Sequence, residues 1–76
     1  MKITAIYDNG GKTLDRYTVV TDEPDHSGYV MMLGLNEGGD GFSQWSTGQA
    51  GRHLGKRVQF ENLSEATQKH IAERVF

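Results

Sequence analysis

The chain has 76 residues, no cysteine, and a formal net charge of −2 from 8 Lys and Arg against 10 Asp and Glu. This length allows one small domain, residues 1–76, and no second core. The missing cysteines exclude disulfides and thiolate metal sites. No stretch approaches the roughly 20 apolar residues of a membrane span, and the first residues lack a signal-peptide pattern. We therefore expect a soluble, cytoplasmic protein with no membrane partner.

The first predicted element is a β-hairpin across Ile3–Val20. β-branched and aromatic residues flank the turn-forming run Asp8-Asn9-Gly10-Gly11-Lys12, which supplies the positive φ angles that hairpin turns need. A two-residue turn would set Tyr7 opposite Leu14. A loop one residue longer would set Ala5 opposite Tyr17. The second register collects more apolar area on one face and is preferred, but the register stays open.

The middle of the chain is predicted as loop, strand and loop. Residues 21–28 contain the only proline among polar neighbours and are typical of a surface loop. Tyr29–Leu35 is almost continuously apolar, which favours an inner strand covered on both faces, or on one face with an interface on the other. Residues 36–51 hold half of the ten glycines and are predicted as a long loop with a short strand over Phe42–Ser46.

The last quarter predicts a turn, a strand and a helix. Arg52–Gly55 is a turn, and Lys56–Phe60 alternates as a strand. Leu63–Val75 is a helix capped by Ser64, with Ala66, Ile71 and Val75 near one apolar stripe and His70 beside it. The predicted fold class is α+β, a small antiparallel β-sheet of about four strands with one C-terminal helix packed on it.

The motifs for catalysis and metal binding are incomplete. Gly10-Gly11-Lys12-Thr13 matches only the end of a phosphate-binding loop, and a strand rather than a helix follows it. Residues 36–41 resemble a calcium loop but lack the closing Glu. The three histidines have no metal-ligand spacing, and no serine lies in a nucleophile motif. We expect a protein that is not an enzyme and has no catalytic residue, metal site or cofactor.

One group of residues has the composition of a binding surface. It combines aromatic, amide and basic side chains in and after the glycine-rich loop: Phe42, Gln44, Trp45, Arg52, His53, Lys56 and Arg57. Trp and Arg are enriched at protein-binding hot spots. Aromatic residues beside basic ones also suit the bases and phosphates of nucleic acids. Alternatively, Phe42 and Trp45 complete a small core. The composition of the loop predicts that Trp45 is at least partly buried, whereas residues 36–41 are exposed and mobile.

The chain also resembles a group of small proteins. The residues that carry the likeness are Tyr7–Thr13, Asp15–Val20, Gly41–Gln44 and His53–Lys56. Together they resemble small uncharacterised proteins found in bacteria and their phages. The resemblance implies a phage or mobile-element context and transfers no activity and no site residue.

The sequence therefore predicts a non-enzymatic protein-binding module, a small adaptor or inhibitor of the phage or mobile-element type. Its partner is expected to be another protein. The alternative is a nucleic-acid-associated protein that uses Arg52, Lys56 and Arg57 together with Trp45. The sequence leaves the partner's identity and the oligomeric state open.

Overall fold

The computed structural model describes residues 1–25, 27–36 and 43–76. Within these ranges the chain forms a sheet and one α-helix. The strands are β1 (Ile3–Asp8), β2 (Tyr17–Pro24), β3 (Val30–Leu35), β4 (Ser43–Gly48) and β5 (Lys56–Val58), and the helix is α1 (Glu65–Val75). Short 3₁₀ turns lie at Arg52–Leu54 and Phe60–Asn62. The predicted α+β class is confirmed, with five strands instead of about four.

The sheet is antiparallel and has the strand order β4-β3-β2-β1-β5. Directly paired residues share a face of the sheet. One row of partners crosses all five strands on the face that α1 covers, namely Trp45, Leu33, Val19, Ile6 and Val58. The inner members of this row are buried. Its two ends lie on β4 and β5, the two edges of the sheet.

The helix packs on this row. Ile71 is fully buried and Val75 is 9% exposed, and both join the core cluster of the sheet. Ser64 caps the helix as predicted, because its side chain accepts from the Thr67 N–H at 3.2 Å. The predicted stripe is wrong at Ala66, which is exposed. Thr67 is buried instead because residues 67, 71 and 75 are four apart and share one side of the helix.

Both predicted hairpin registers are wrong. The pairs are Asp8 with Tyr17 and Ala5 with Val20, with a bulge near Ile3. The connection therefore runs over residues 9–16, far longer than a tight turn. Its order comes from Asn9, whose amide donates to the Thr13 hydroxyl and the Asp15 carbonyl and accepts from two backbone N–H groups.

The boundaries of the middle strands also differ from the predictions. β2 continues to Pro24, so half of the predicted 21–28 loop is strand. β3 confirms the inner strand, since Met32 and Leu33 are buried on opposite faces. β4 begins at Ser43 and reaches Gly48, further than predicted. The predictions for Phe42 and for residues 37–41 lie outside the described residues.

Candidate functional site

The structure divides the predicted binding group between the two edges of the sheet. Gln44 and Trp45 lie on β4, whereas Lys56 and Arg57 lie on β5, directly after the turn that holds Arg52 and His53. Four inter-strand steps separate the two edges, a distance of about 19 Å. The prediction of one combined aromatic and basic surface is wrong, because β5 pairs with β1 and lies across the sheet from β4. Phe42 lies outside the described residues.

The β4 edge is regular and uncharged. All six residues of β4 pair with β3 in unbroken register, and no other described strand pairs with β4. Its sequence, Ser-Gln-Trp-Ser-Thr-Gly, contains neither a charged residue nor a proline. Natural sheets usually protect their edges with charges, prolines, bulges or short strands. In the described part of the chain β4 carries none of these devices, so it is open to a further strand.

The backbone groups on the free side of β4 can be identified from the registers. In antiparallel pairs, residues that exchange hydrogen bonds alternate with residues whose N–H and C=O point away. The Asn9 N–H donates to the Arg16 carbonyl, so these two residues face each other between β1 and β2. The same alternation can be followed through the β2–β3 and β3–β4 registers. It shows that the backbone N–H and C=O groups of the even-numbered residues of β4 point toward β3. The residues with N–H and C=O on the free side are Ser43, Trp45 and Thr47.

Trp45 lies at the end of the apolar row on the helix-covered face. It is directly opposite Leu33, which is fully buried. Its own side chain is 38% exposed, so the ring is partly covered and partly accessible. Trp45 pairs with the buried row of the sheet, yet it is one of the exposed large hydrophobic side chains. The accessible part of its ring belongs to the strand whose outward backbone groups have no described strand partner.

Side-chain contacts hold β4 in place from both faces. The Ser43 Oγ lies 2.9 Å from His70 Nε2 on α1. On the other face, the Gln44 amide donates to the Asp15 carboxylate at 3.2 Å. The sequence interpretation placed His70 beside the helix stripe but had no signal for its partner, since 27 residues separate the two. These contacts anchor the strand without using its outward backbone groups.

The β5 edge has the opposite character. β5 has only three residues and pairs with β1 at Ile6, Tyr7 and Asp8. Further along β1, Arg57 donates from its guanidinium to the carbonyl of Thr4 at 3.2 Å. This carbonyl lies beyond the end of β5, so its hydrogen-bond donor is the Arg57 side chain and not the backbone of a neighbouring strand. The short length and the cationic residues protect this edge.

The loop between β1 and β2 lies beside the β5 edge. Arg16 donates to both carboxylate oxygens of Asp8, at 2.8 and 3.1 Å. The hydrogen bond from Arg16, with the Gly10 N–H also donating, holds the pKa of Asp8 below its usual 3.8 against the opposing effect of burial. The Gly11 and Lys12 N–H groups donate to the Asn9 side chain. The glycine run therefore has its amides occupied internally, and the phosphate-loop interpretation has no structural support.

Metal binding and membrane spanning leave no signature in the described ranges. No three side chains of His, Cys, Asp or Glu lie close enough together there to share a metal ion. The only α-helix found there has eleven residues, too few to cross a bilayer.

Comparison with known proteins finds no matching family model, no similar curated protein and no similar solved structure. Function must therefore be argued from the geometry of the two edges.

Proposed function

We propose that this protein is a non-enzymatic protein-binding module that adds an extended segment of its partner to β4. The observation that carries the proposal is the open edge itself. β4 is a six-residue, uncharged strand with one described neighbour, and a partly exposed tryptophan lies at its centre. An adaptor or inhibitor of the kind found in phages and mobile elements is the role proposed for such a module.

Strand addition uses two kinds of contact, and β4 offers both. Each outward residue presents one N–H donor and one C=O acceptor, and Ser43, Trp45 and Thr47 are the outward residues. Main-chain hydrogen bonds of this kind supply affinity, and pockets for alternate side chains supply specificity. The accessible part of Trp45 is the side chain best suited to anchor a partner, since large aromatic residues dominate interface energetics.

The Ser43–His70 contact supports a structural role better than a catalytic one. A nucleophilic serine needs an adjacent base that a third group orients. Among the described residues, no carboxylate accepts a hydrogen bond from the His70 ring beside its contact with Ser43. The pair instead ties the start of β4 to α1, which favours the non-enzymatic proposal.

The nucleic-acid alternative has less support. It requires Trp45 to lie beside the basic residues, and the sheet separates them. Arg57 is also occupied with the Thr4 carbonyl. We do not retain a combined stacking and phosphate-binding surface.

The test begins with peptides selected from a random library against the full chain, followed by affinity measurements on two variants of one residue. Thr47→Pro removes an outward N–H, and an edge strand tolerates proline where the N–H faces away from its neighbour. Thr47→Val keeps that N–H and, like Thr47→Pro, loses the hydroxyl that hydrogen-bonds to Asp25. We expect Thr47→Pro to weaken peptide binding about tenfold, equivalent to about one hydrogen bond. Thr47→Val should bind like the parent.

Amide hydrogen exchange supplies the second readout. Bound peptide should slow exchange at Ser43, Trp45 and Thr47, whereas Gln44 and Ser46 are already bonded to β3 and should change little. Thermal melts establish that both variants fold. Selected peptides whose affinity ignores Thr47→Pro, or whose protection falls outside β4, would contradict the proposal, as would a library that yields no binder.

A further inference from the structure

Beside the β5 edge lies an open concavity of about 540 Å³. Its lining includes Asp8, Asn9 and Gly10 together with three cationic residues, Lys12, Arg52 and Lys56. We propose that this concavity, named here the cationic cleft, binds the phosphate group of a phosphorylated ligand. The proposal is independent of β4, because the cleft and β4 lie at opposite edges of the sheet.

Among the described residues, the three cations of the cleft have no acidic partner. In the described ranges, the one ion pair formed is that of Arg16 with Asp8. Lys12, Arg52 and Lys56 are all exposed, and each is without an ion pair there. Three positive charges therefore border one cavity without a described counter-charge of their own, in a chain whose net charge is −2.

Asp8, the one carboxylate in the described lining of the cleft, is already ion-paired. Asp8 accepts two hydrogen bonds from Arg16 and one from the Gly10 N–H. Its charge is balanced by a partner that does not line the cavity. As far as the described lining goes, an incoming anion therefore meets three cations without direct repulsion from a free carboxylate.

The chemistry of the wall favours phosphate among anions. Arg52 presents a planar fork of donors that matches phosphate oxygens, and lysine ammonium groups bind phosphate as point charges. A phosphate ester carries up to two negative charges, which suits a site with several cations better than a single carboxylate. The backbone amides at Gly10 and Gly11 donate to Asp8 and Asn9, so the site acts through its side chains.

Two sources could supply this group, a small phosphorylated compound or a nucleic-acid backbone. The described lining of the cleft includes no aromatic side chain, and single-stranded nucleic acids use such side chains as a stacking platform. This favours a small phosphorylated compound, and the experiment below separates the two.

The experiment is a titration of the ¹⁵N-labelled full chain with inorganic pyrophosphate at constant ionic strength. A triple variant, Lys12→Ser, Arg52→Ser and Lys56→Ser, removes the cleft cations. A matched triple variant, Lys2→Ser, Lys69→Ser and Arg74→Ser, removes the same net charge elsewhere on the exposed surface. A parallel titration uses a single-stranded oligothymidylate.

We expect pyrophosphate to shift the amides of Gly10, Lys12, Gly55 and Lys56, with a dissociation constant in the millimolar range or tighter. The cleft variant should lose about tenfold in affinity, given the modest strength of exposed charge contacts, and the matched variant should stay within about twofold. Added salt should weaken binding.

Distinct results would overturn the proposal. Equal losses in the two triple variants would show that only net charge matters. An absence of pyrophosphate shifts at these amides would also refute it. Oligothymidylate binding that depends on the cleft, beside a pyrophosphate response that does not, would replace the small ligand with a nucleic-acid backbone. Thr47→Pro should leave pyrophosphate binding unchanged.

Discussion

The two edges of the sheet solve the same physical problem differently. An edge strand leaves a row of backbone donors and acceptors without a partner, which invites another strand. β5 is short and cationic. Its Arg57 side chain donates to the carbonyl of Thr4 on β1, which lies beyond the end of β5. β4 is twice as long and uncharged, with its register unbroken. The difference indicates that strand addition is prevented at β5 and permitted at β4.

The β5 edge depends most strongly on Gly55. A substitution there should have the largest effect on stability. Gly55 has φ +117°, and a Cβ there would collide with the carbonyl oxygen of Asp8 and approach the Asn9 Cα to 2.7 Å. Gly55→Ala should cost about 3 kcal/mol, the sum of a strained φ and an overpacked contact. A domain of this size has roughly 3 to 5 kcal/mol in total, so most of the cooperative melt should be lost.

Gly28→Ala is the matched control for that experiment. Gly28 also has a positive φ, +88°, but a Cβ there meets nothing within 4 Å. Its cost should be limited to the strain of the left-handed conformation, about 1 kcal/mol. If circular dichroism melts show equal losses in the two variants, the close approach of residue 55 to β1 is not what holds the β5 edge.

The second prediction concerns the ion pair of Arg16 with Asp8, which lies beside the β5 edge. Asp8→Asn should destabilise the protein by about 1 kcal/mol at neutral pH, because it removes the charge that Arg16 contacts while an amide still accepts hydrogen bonds. The folded pKa of Asp8 lies below 3.8. Its stabilising contribution is therefore complete above that unfolded value and is lost as pH falls through the lower, folded value.

Urea unfolding from pH 7 down to pH 2 measures this dependence. The parent and Asp8→Asn should differ at neutral pH and converge below about pH 4. Glu73→Gln on the exposed side of α1 serves as the control and should follow the parent throughout. A constant difference between the parent and Asp8→Asn at all pH values would show that ionisation of Asp8 contributes nothing.

The third prediction removes the protection of the β5 edge. Arg57→Met keeps the apolar stem of the side chain but leaves the Thr4 carbonyl without its donor. We expect a loss of about 0.5 to 1 kcal/mol and a new tendency to self-associate, measured by light scattering at rising concentration. Arg57→Lys keeps a cationic donor and should remain closer to the parent. Equal scattering by the parent and both variants would show that Arg57 does not guard this edge.

Local patterns predicted the helix and most of the strands. Ser64 and the apolar positions of α1 are local signals, and they gave the right element with one wrong stripe position, Ala66. The hairpin register failed because the side chain of Asn9 stabilises a long loop through several hydrogen bonds, and residue preferences alone do not report such a network.

The site was harder to predict than the fold. Trp45 and Arg57 are twelve residues apart, yet they lie on opposite edges because β5 returns to β1. Lys12 was not in the predicted group, since its place beside Arg52 and Lys56 in one concavity depends on the same long-range pairing. Proximity in sequence placed the aromatic and basic residues together, and the strand order separated them.

The smallest expected change in stability comes from transferring the protection of β5 to β4. Ser46 is exposed at the middle of β4, and Ser46→Lys places a charge there, as natural edge strands do. Surface substitutions of this kind usually change stability by less than about 0.5 kcal/mol. Strand addition should nevertheless weaken, because an incoming strand must accommodate and desolvate the lysine.

Ser46→Gln has a similar length without the charge and should bind peptides like the parent. Affinity for the selected peptides, measured beside thermal melts, therefore separates binding from folding. If Ser46→Lys melts and binds like Ser46→Gln, charge does not distinguish the two edges, and the shortness of β5 alone would account for the contrast between them.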